Sequence, residues 1–187
     1  MDGVERKMVT NERKVSRLDM VLRVLALVLT LVAAIVLGMD KQTKVVPIKL
    51  LASLPPVNVP VSARWHYLSA FKYHVVTNAI ACAYAAVSLL LLVVARNKGG
   101  KSGVVVMMII VLDLAMVALL FSSNGAAGAI GIIGYQGNSH LQWNKVCNVF
   151  GKFCDRVAVS IVSSLFAALA FFLLVSFAAL RLLKKPN

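Results

Sequence analysis

Four stretches of this chain are apolar at nearly every position, and the charged residues gather between them. They run over about 18–39, 75–95, 104–122 and 157–180. Each is long enough to cross a bilayer core, which takes roughly 20 apolar residues at 1.5 Å rise per residue. The connection from Asp40 to His74 reads differently. Within VVPIKLLASLPPVNVPVSARW, Val57, Val59 and Val61 alternate with other residues between prolines, a pattern that predicts a short extended segment and a small β-hairpin. Directly after the third apolar run, NGAAGAIGIIGYQGN places glycine at every third position, Gly125, Gly128, Gly131, Gly134 and Gly137. A helix continued through them to about 135 would offer a smooth ridge for close packing; a flexible loop is the other reading. The pattern as a whole predicts an all-α polytopic membrane protein, a left-handed bundle of four transmembrane helices. It divides the chain into a tail (1–17), a membrane domain (18–180) and a second tail (181–187).

Composition agrees with the pattern. Hydrophobic residues make up 60% of the 187 positions and the mean hydropathy is +0.84, too apolar for a domain whose surface must face water. The opening MDGVERKMVTNERKVSR reads as the flank of an uncleaved signal anchor, because the apolar run behind it is longer than a signal-peptide core and no small-residue cleavage site follows.

The net charge of +13 raises the question of nucleic acid, yet the basic residues flank the spans and form no helical stripe interleaved with aromatics. Topology accounts for most of them. Arg6, Lys7, Arg13, Lys14 and Arg17, then Arg96, Lys98 and Lys101, then Arg181, Lys184 and Lys185 fall on one side, which the positive-inside rule makes cytosolic. Lys41, Lys44, Lys49, Arg64, Lys72, Lys145, Lys152 and Arg156 fall on the other, so the bias is modest. The tight turn RNKGGKSG and a cysteine pair that needs an oxidising side point the same way, with both termini cytosolic. Trp65, Tyr67 and Tyr73 then stand at a membrane entry as interfacial anchors.

Two ionisable residues interrupt the spans, Arg23 in the first and Asp113 in the third. Counted from Leu18 and Val104 they lie about 7 Å and about 13 Å in from the cytosolic edge, a gap that an arginine side chain bridges. Each charge alone costs at least about 2.5–3.5 kcal/mol at mid-span, so pairing them offsets both penalties. The competing readings are an arginine that snorkels to the interface and a neutral, protonated carboxyl. An intramembrane acid also marks proton and ion routes, which makes a small proton- or cation-coupled transporter or channel using Asp113 the alternative function. With no second carboxylate, no intramembrane histidine and no proline-broken helix, the structural clamp is preferred.

Cys147 and Cys154 in KVCNVFGKFCDR would close a small ring on the outer side and are expected to form a structural disulfide. Cys82 reads as a buried small hydrophobe. His66, His74 and His140 have no metal-ligand spacing, and no nucleophile triad, phosphate loop or paired carboxylates occur, so no enzyme, cofactor or metal is expected. The terminal KKPN matches the position of a dilysine signal for the endoplasmic reticulum, although an ordinary basic stop explains it equally simply.

Taken together, Arg23, Asp113, the outer cysteines and LPPVNVPVSARWHYLSAFKYHVVTNAIACAY resemble the plant Casparian strip membrane domain proteins and their CASP-like relatives, within the broader MARVEL-like four-helix group. The resemblance covers nearly the whole chain from Asp19 onward and is most specific from Trp65 to Tyr84. It implies a multi-pass plasma-membrane protein, surrounded by membrane lipid, that forms homo-oligomers and hetero-oligomers with related CASP-like proteins. In the strip-forming members, such a platform fixes where secreted wall-modifying proteins act. The loop KLLASLPPVNVPVSARW places this sequence nearer the CASP-like branch. A claudin-like adhesion protein would carry its cysteine pair in the first outer loop, where this chain has none.

Overall fold

A computed structural model describes residues 2–48, 57–97, 103–137 and 145–183. They form four long helices and one hairpin, in the order α1 (Asp2–Gly38), β1 (Lys41–Ile48), β2 (Val57–Arg64), α2 (Ser69–Asn97), α3 (Gly103–Gln136) and α4 (Gly151–Leu183). Short 3-10 turns at Trp65–Tyr67 and Val146–Asn148 lead into α2 and α4. Lys49, Lys98, Lys101, His140 and the terminal KKPN lie outside the described residues.

Each helix packs on its neighbour in sequence and α4 closes back onto α1, so α1 faces α3, and α2 faces α4, across the middle of a four-helix bundle. The buried positions explain this arrangement. On α2 they are Phe71, His74, Asn78, Ala81, Ala85, Ser88 and Leu92; on α4, Phe153, Val157, Ser160, Ser164, Ala167, Phe171 and Leu174. Arg23, Ala26, Thr30, Ala33 and Leu37 continue the pattern on α1, as do Asp113, Val117, Leu120, Asn124 and Ala127 on α3. Steps of three and four alternate on all four helices, the seven-residue repeat that keeps one seam facing inward in left-handed packing.

The seam is made of smaller and more polar side chains than the outside. Val28, Leu31 and Ile35 on α1 and Val162, Phe166 and Phe172 on α4 point away from the bundle. That is the reverse of a water-soluble bundle. Lipid already solvates large apolar side chains, so helices associate through close approach and hydrogen bonds instead. All four helices contain a window long and apolar enough to cross a membrane, over Arg17–Gly38, Ser69–Val94, Gly103–Gln136 and Gly151–Leu183.

The helices outrun the apolar stretches that announce them. α1 starts at Asp2, so the segment expected as a tail is helical, and α2 and α4 start at Ser69 and Gly151 rather than near 75 and 157. α3 runs on through the glycines for 34 residues, about 51 Å against a hydrocarbon core of about 30 Å. An apolar run measures bilayer thickness, whereas a helix stops only at a cap. For α3 the cap is Gly137, which adopts φ 75° and donates its N–H to the Ile133 carbonyl at 2.8 Å.

The hairpin expected around Val57–Val61 is present. Its strands pair antiparallel from Lys41 opposite Arg64 to Ile48 opposite Val57. Pro47 and Pro60 are tolerated because each strand of a two-stranded ribbon has an open edge. At the hairpin end Leu37, Phe71, Ala127, Phe150, Phe153 and Val157 form a second apolar cluster, and Trp65 packs against it.

Candidate functional site

The structure brings Arg23 and Asp113 together across the α1–α3 diagonal. Arg23 Nη2 donates to Asp113 Oδ2 at 2.8 Å and Nη1 to Oδ1 at 3.1 Å, a two-pronged guanidinium–carboxylate contact. Asp113 is 1% exposed and Arg23 3%. α2 completes the group. The Tyr84 hydroxyl donates to Asp113 Oδ1 at 2.7 Å, and Ser88 Oγ accepts from Arg23 Nη1 at 3.0 Å while donating to the Ala85 carbonyl at 2.9 Å. Asp19, one turn before Arg23, lies 3.6 Å from its Nε. The Tyr84 ring leans on Phe171 of α4, with centroids 6.1 Å apart, so all four helices meet around one ion pair.

Sequence reasoning found the pair and missed its supports. The available signal was that Tyr84 and Ser88, four residues apart, share one face of an otherwise apolar helix.

A second polar layer lies nearer the hairpin and joins the other diagonal. His74 Nε2 lies 3.1 Å from Ser160 Oγ, and Ser160 donates its only hydroxyl proton to the Ala33 carbonyl of α1 at 2.7 Å. The Asn78 amide nitrogen lies 3.3 Å from the same Nε2, so one ring nitrogen of His74 meets both its own helix and α4. Asn78 Nδ2 donates to the His74 carbonyl at 2.9 Å. The expectation that no histidine enters the bundle is thus corrected: His74 is fully buried, one turn inside α2. It precedes the apolar run by one residue, and a count of apolar residues alone excludes it. Four-residue steps from His74 to Asn78 and from Ser160 to Ser164 carried the signal, because polar residues at heptad spacing face the seam. Cys82 is half-buried, with Sγ 3.9 Å from the Leu27 carbonyl.

At the hairpin end Cys147 and Cys154 are disulfide-bonded, with Cα atoms 5.7 Å apart. The bond ties the turn Val146–Asn148 to the first turn of α4. Replacing either cysteine by serine is expected to lower stability by about 2.5 kcal/mol, the chain-entropy value for so short a ring. Thermal melting in mild detergent, with and without reductant, measures it.

Two contacts dock the hairpin on α4. Gln42 Oε1 accepts from the Phe153 backbone N–H at 3.0 Å, satisfying a donor that the helix start leaves free, and Arg156 Nη1 donates to Asp40 Oδ1 at 2.7 Å. Burial pushes the Asp40 carboxyl above its ordinary range and Arg156 pulls it only partly back. A raised carboxyl pKa means the folded state holds the proton more tightly than the unfolded chain does. The stability it contributes is complete below the ordinary carboxylate range and is lost as pH rises through the raised value. Melting temperature is therefore expected to fall less between pH 4 and pH 7 in Asp40→Asn than in the unaltered chain.

The glycines do not share one environment. A Cβ on Gly131 would meet Val157 at 3.9 Å and one on Gly134 would meet Cys147 Sγ at 3.9 Å, whereas Gly125 and Gly128 have nothing within 4 Å. Among the described residues no group of three or more metal-ligating side chains forms.

A bundle of four membrane-crossing helices, tied inside by hydrogen-bonded polar layers and carrying a disulfide-bonded turn beside a hairpin at one end, defines a small multi-pass membrane protein. Residues 12–170 match the Casparian strip membrane protein domain, and the chain belongs to that family. It is 62% identical over 188 residues to CASP-like protein 1E1 of Populus trichocarpa, covering 100% of this chain and 94% of the relative. It is also 62% identical over 172 residues to CASP-like protein 1E2 of Vitis vinifera, with 92% and 87% covered. CASP-like protein 1E1 of Arabidopsis thaliana is 53% identical over 165 residues, with 88% and 86% covered. No solved structure matches the chain.

Proposed function

We propose that this protein is a non-enzymatic scaffold of the plasma membrane. It self-associates laterally, joins related CASP-like proteins, and organises a membrane domain at the plant cell wall to which secreted wall-modifying proteins are recruited. The observation that carries this reading is how the buried charges are used. Arg23 and Asp113 bond each other, and Tyr84 and Ser88 take up further bonding capacity, so the pair serves as an internal strut and not as a free carboxylate. Function then rests with the outer walls.

Those walls are rows of large apolar side chains on every helix, Val, Leu and Ile on α1 and α2 with Phe added on α3 and α4, suited to lipid and to sideways contact with other bundles. The disulfide supports placing the hairpin end outside the cell, since such bonds persist in oxidising compartments. Both termini and Arg181 then lie in the cytosol, and exposed Lys41, Lys44 and Arg64 on the hairpin face the acidic polymers and proteins of the wall.

Chemical cross-linking in membranes, followed by sizing in mild detergent, tests the reading. Oligomers containing this chain and its CASP-like relatives are expected. A strictly monomeric particle under both conditions overturns it.

A further inference from the structure

Between the glycine-rich end of α3 and the start of α4 lies a groove of about 430 Å³. Gly128, Gly131 and Gly134 form its floor, and Phe153, Val157 and Ile161 its opposite wall. Leu68 and Phe71 close one flank and both bonded cysteines line the outer end. Its size is that of a small-molecule site, and hydrocarbon makes up nearly all of the lining.

Its position is unusual. Gly128 stands level with the last residue of α1, because Arg23 meets Asp113 and both α1 and α3 rise 15 residues from that pair to Gly38 and Gly128. The groove therefore begins where α1 ends and climbs about 12 Å to Gln136, past the charged residues Asp40 and Arg156 that mark the membrane edge. Apolar lining at that height stands among headgroups and water. Glycine also weakens a helix relative to alanine, so the repeated glycines act against α3 locally while keeping the groove open.

The two ends differ in chemistry. The lower end, at Gly128, Ile161 and Val162, reaches the depth of the hydrocarbon. The upper end carries the exposed Tyr135 and Gln136, with exposed Lys145 next to the lining residue Val146.

We infer that the groove holds a single-chain anionic amphiphile, a fatty acid, drawn partly out of the adjoining leaflet, with its chain along the glycine floor and its carboxylate at the Lys145 and Tyr135 end. The groove shelters methylenes that would otherwise meet water, and the Lys145 ammonium complements the head. A transmembrane helix of a second copy fits less well, since it needs contact along the roughly 30 Å of the core and the groove offers about 12 Å beside its edge.

The test uses the full-length protein in nanodiscs with a photoactivatable palmitic acid, its labelling sites mapped by mass spectrometry. Labelling is expected to concentrate on residues 128–136 and 153–162. Gly131→Trp should fill the groove and reduce that labelling at least tenfold, while Gly125→Trp, outside the groove, should leave it unchanged. Disulfide retention and melting temperature report that both variants fold. Lys145→Glu should lower labelling by palmitic acid more than labelling by the matching photoactivatable alcohol. Equal labelling over all lipid-facing walls, labelling indifferent to Gly131→Trp, cross-links at the groove to a second copy, or displacement by a sterol but not by palmitic acid would each overturn the inference.

Discussion

Asp113→Ala is expected to destabilise the bundle by about 3–5 kcal/mol, because it strands the Arg23 guanidinium in a low-dielectric interior. The nearest remaining acid is Asp19, whose carboxylate lies 3.6 Å from Nε; Nη1 keeps Ser88 Oγ at 3.0 Å, and Nη2 loses its carboxylate partner. Arg23→Ala should cost a similar amount by stranding the carboxylate, although Tyr84 still donates to it. The informative variant is the double replacement Arg23→Leu with Asp113→Leu. Removing both charges together abolishes the two desolvation penalties that the pair exists to offset, so the double variant is expected to be close to the unaltered chain in stability and well above either single one. Melting in mild detergent, together with delivery to the cell surface, gives the comparison. Asp113→Asn separates the clamp from a transport role. The clamp reading expects lost stability or trafficking, whereas a well-folded Asp113→Asn protein that has lost a measurable ion flux would make the carboxylate a transport site.

The membrane class and the ion pair were legible in the sequence for the same physical reason. A bilayer punishes charge so heavily that two charged residues inside apolar runs demand an explanation, and the simplest explanation is each other. The hairpin was legible because Val57, Val59 and Val61 keep a period of two in a chain otherwise patterned for helices. What escaped was neutral. His74, Asn78, Ser160 and Ser164 cost the membrane less than a charge does, and so they do not stand out from loop residues or from ordinary small residues in a span. Helix ends escaped as well, because hydropathy falls off at the membrane edge while α3 continues to its cap at Gly137. The glycine series left two readings open because glycine is compatible with both a ridge and a loop. Only the neighbours of Gly131 and Gly134 show that the ridge looks into a groove.

His74→Ala is expected to cost about 3 kcal/mol, since it empties a fully buried position and removes the hydrogen bond from α2 to Ser160. Ser160→Ala acts differently. The Ala33 carbonyl that loses its hydroxyl donor sits inside α1 and keeps its helical partner, so the cost falls on the buried His74 Nε2, which loses its Ser160 partner, at about 1–3 kcal/mol. His74→Leu should then be milder than His74→Ala, because it refills the volume while Ser160 keeps its own bond to Ala33. The order Ala worse than Leu at position 74 distinguishes a packing-and-hydrogen-bond tie from a proton-carrying group, for which both replacements would be equivalent. The two diagonals should also act independently. Asp113 and Ser123, whose backbone faces the His74 ring, are ten residues apart on α3, about 15 Å along the axis. At that separation the costs of Asp113→Asn and His74→Ala are expected to add within about 0.5 kcal/mol in detergent melts. A large shortfall from additivity would mean that the two polar layers form one connected path through the bundle, and the account of two separate struts would fail.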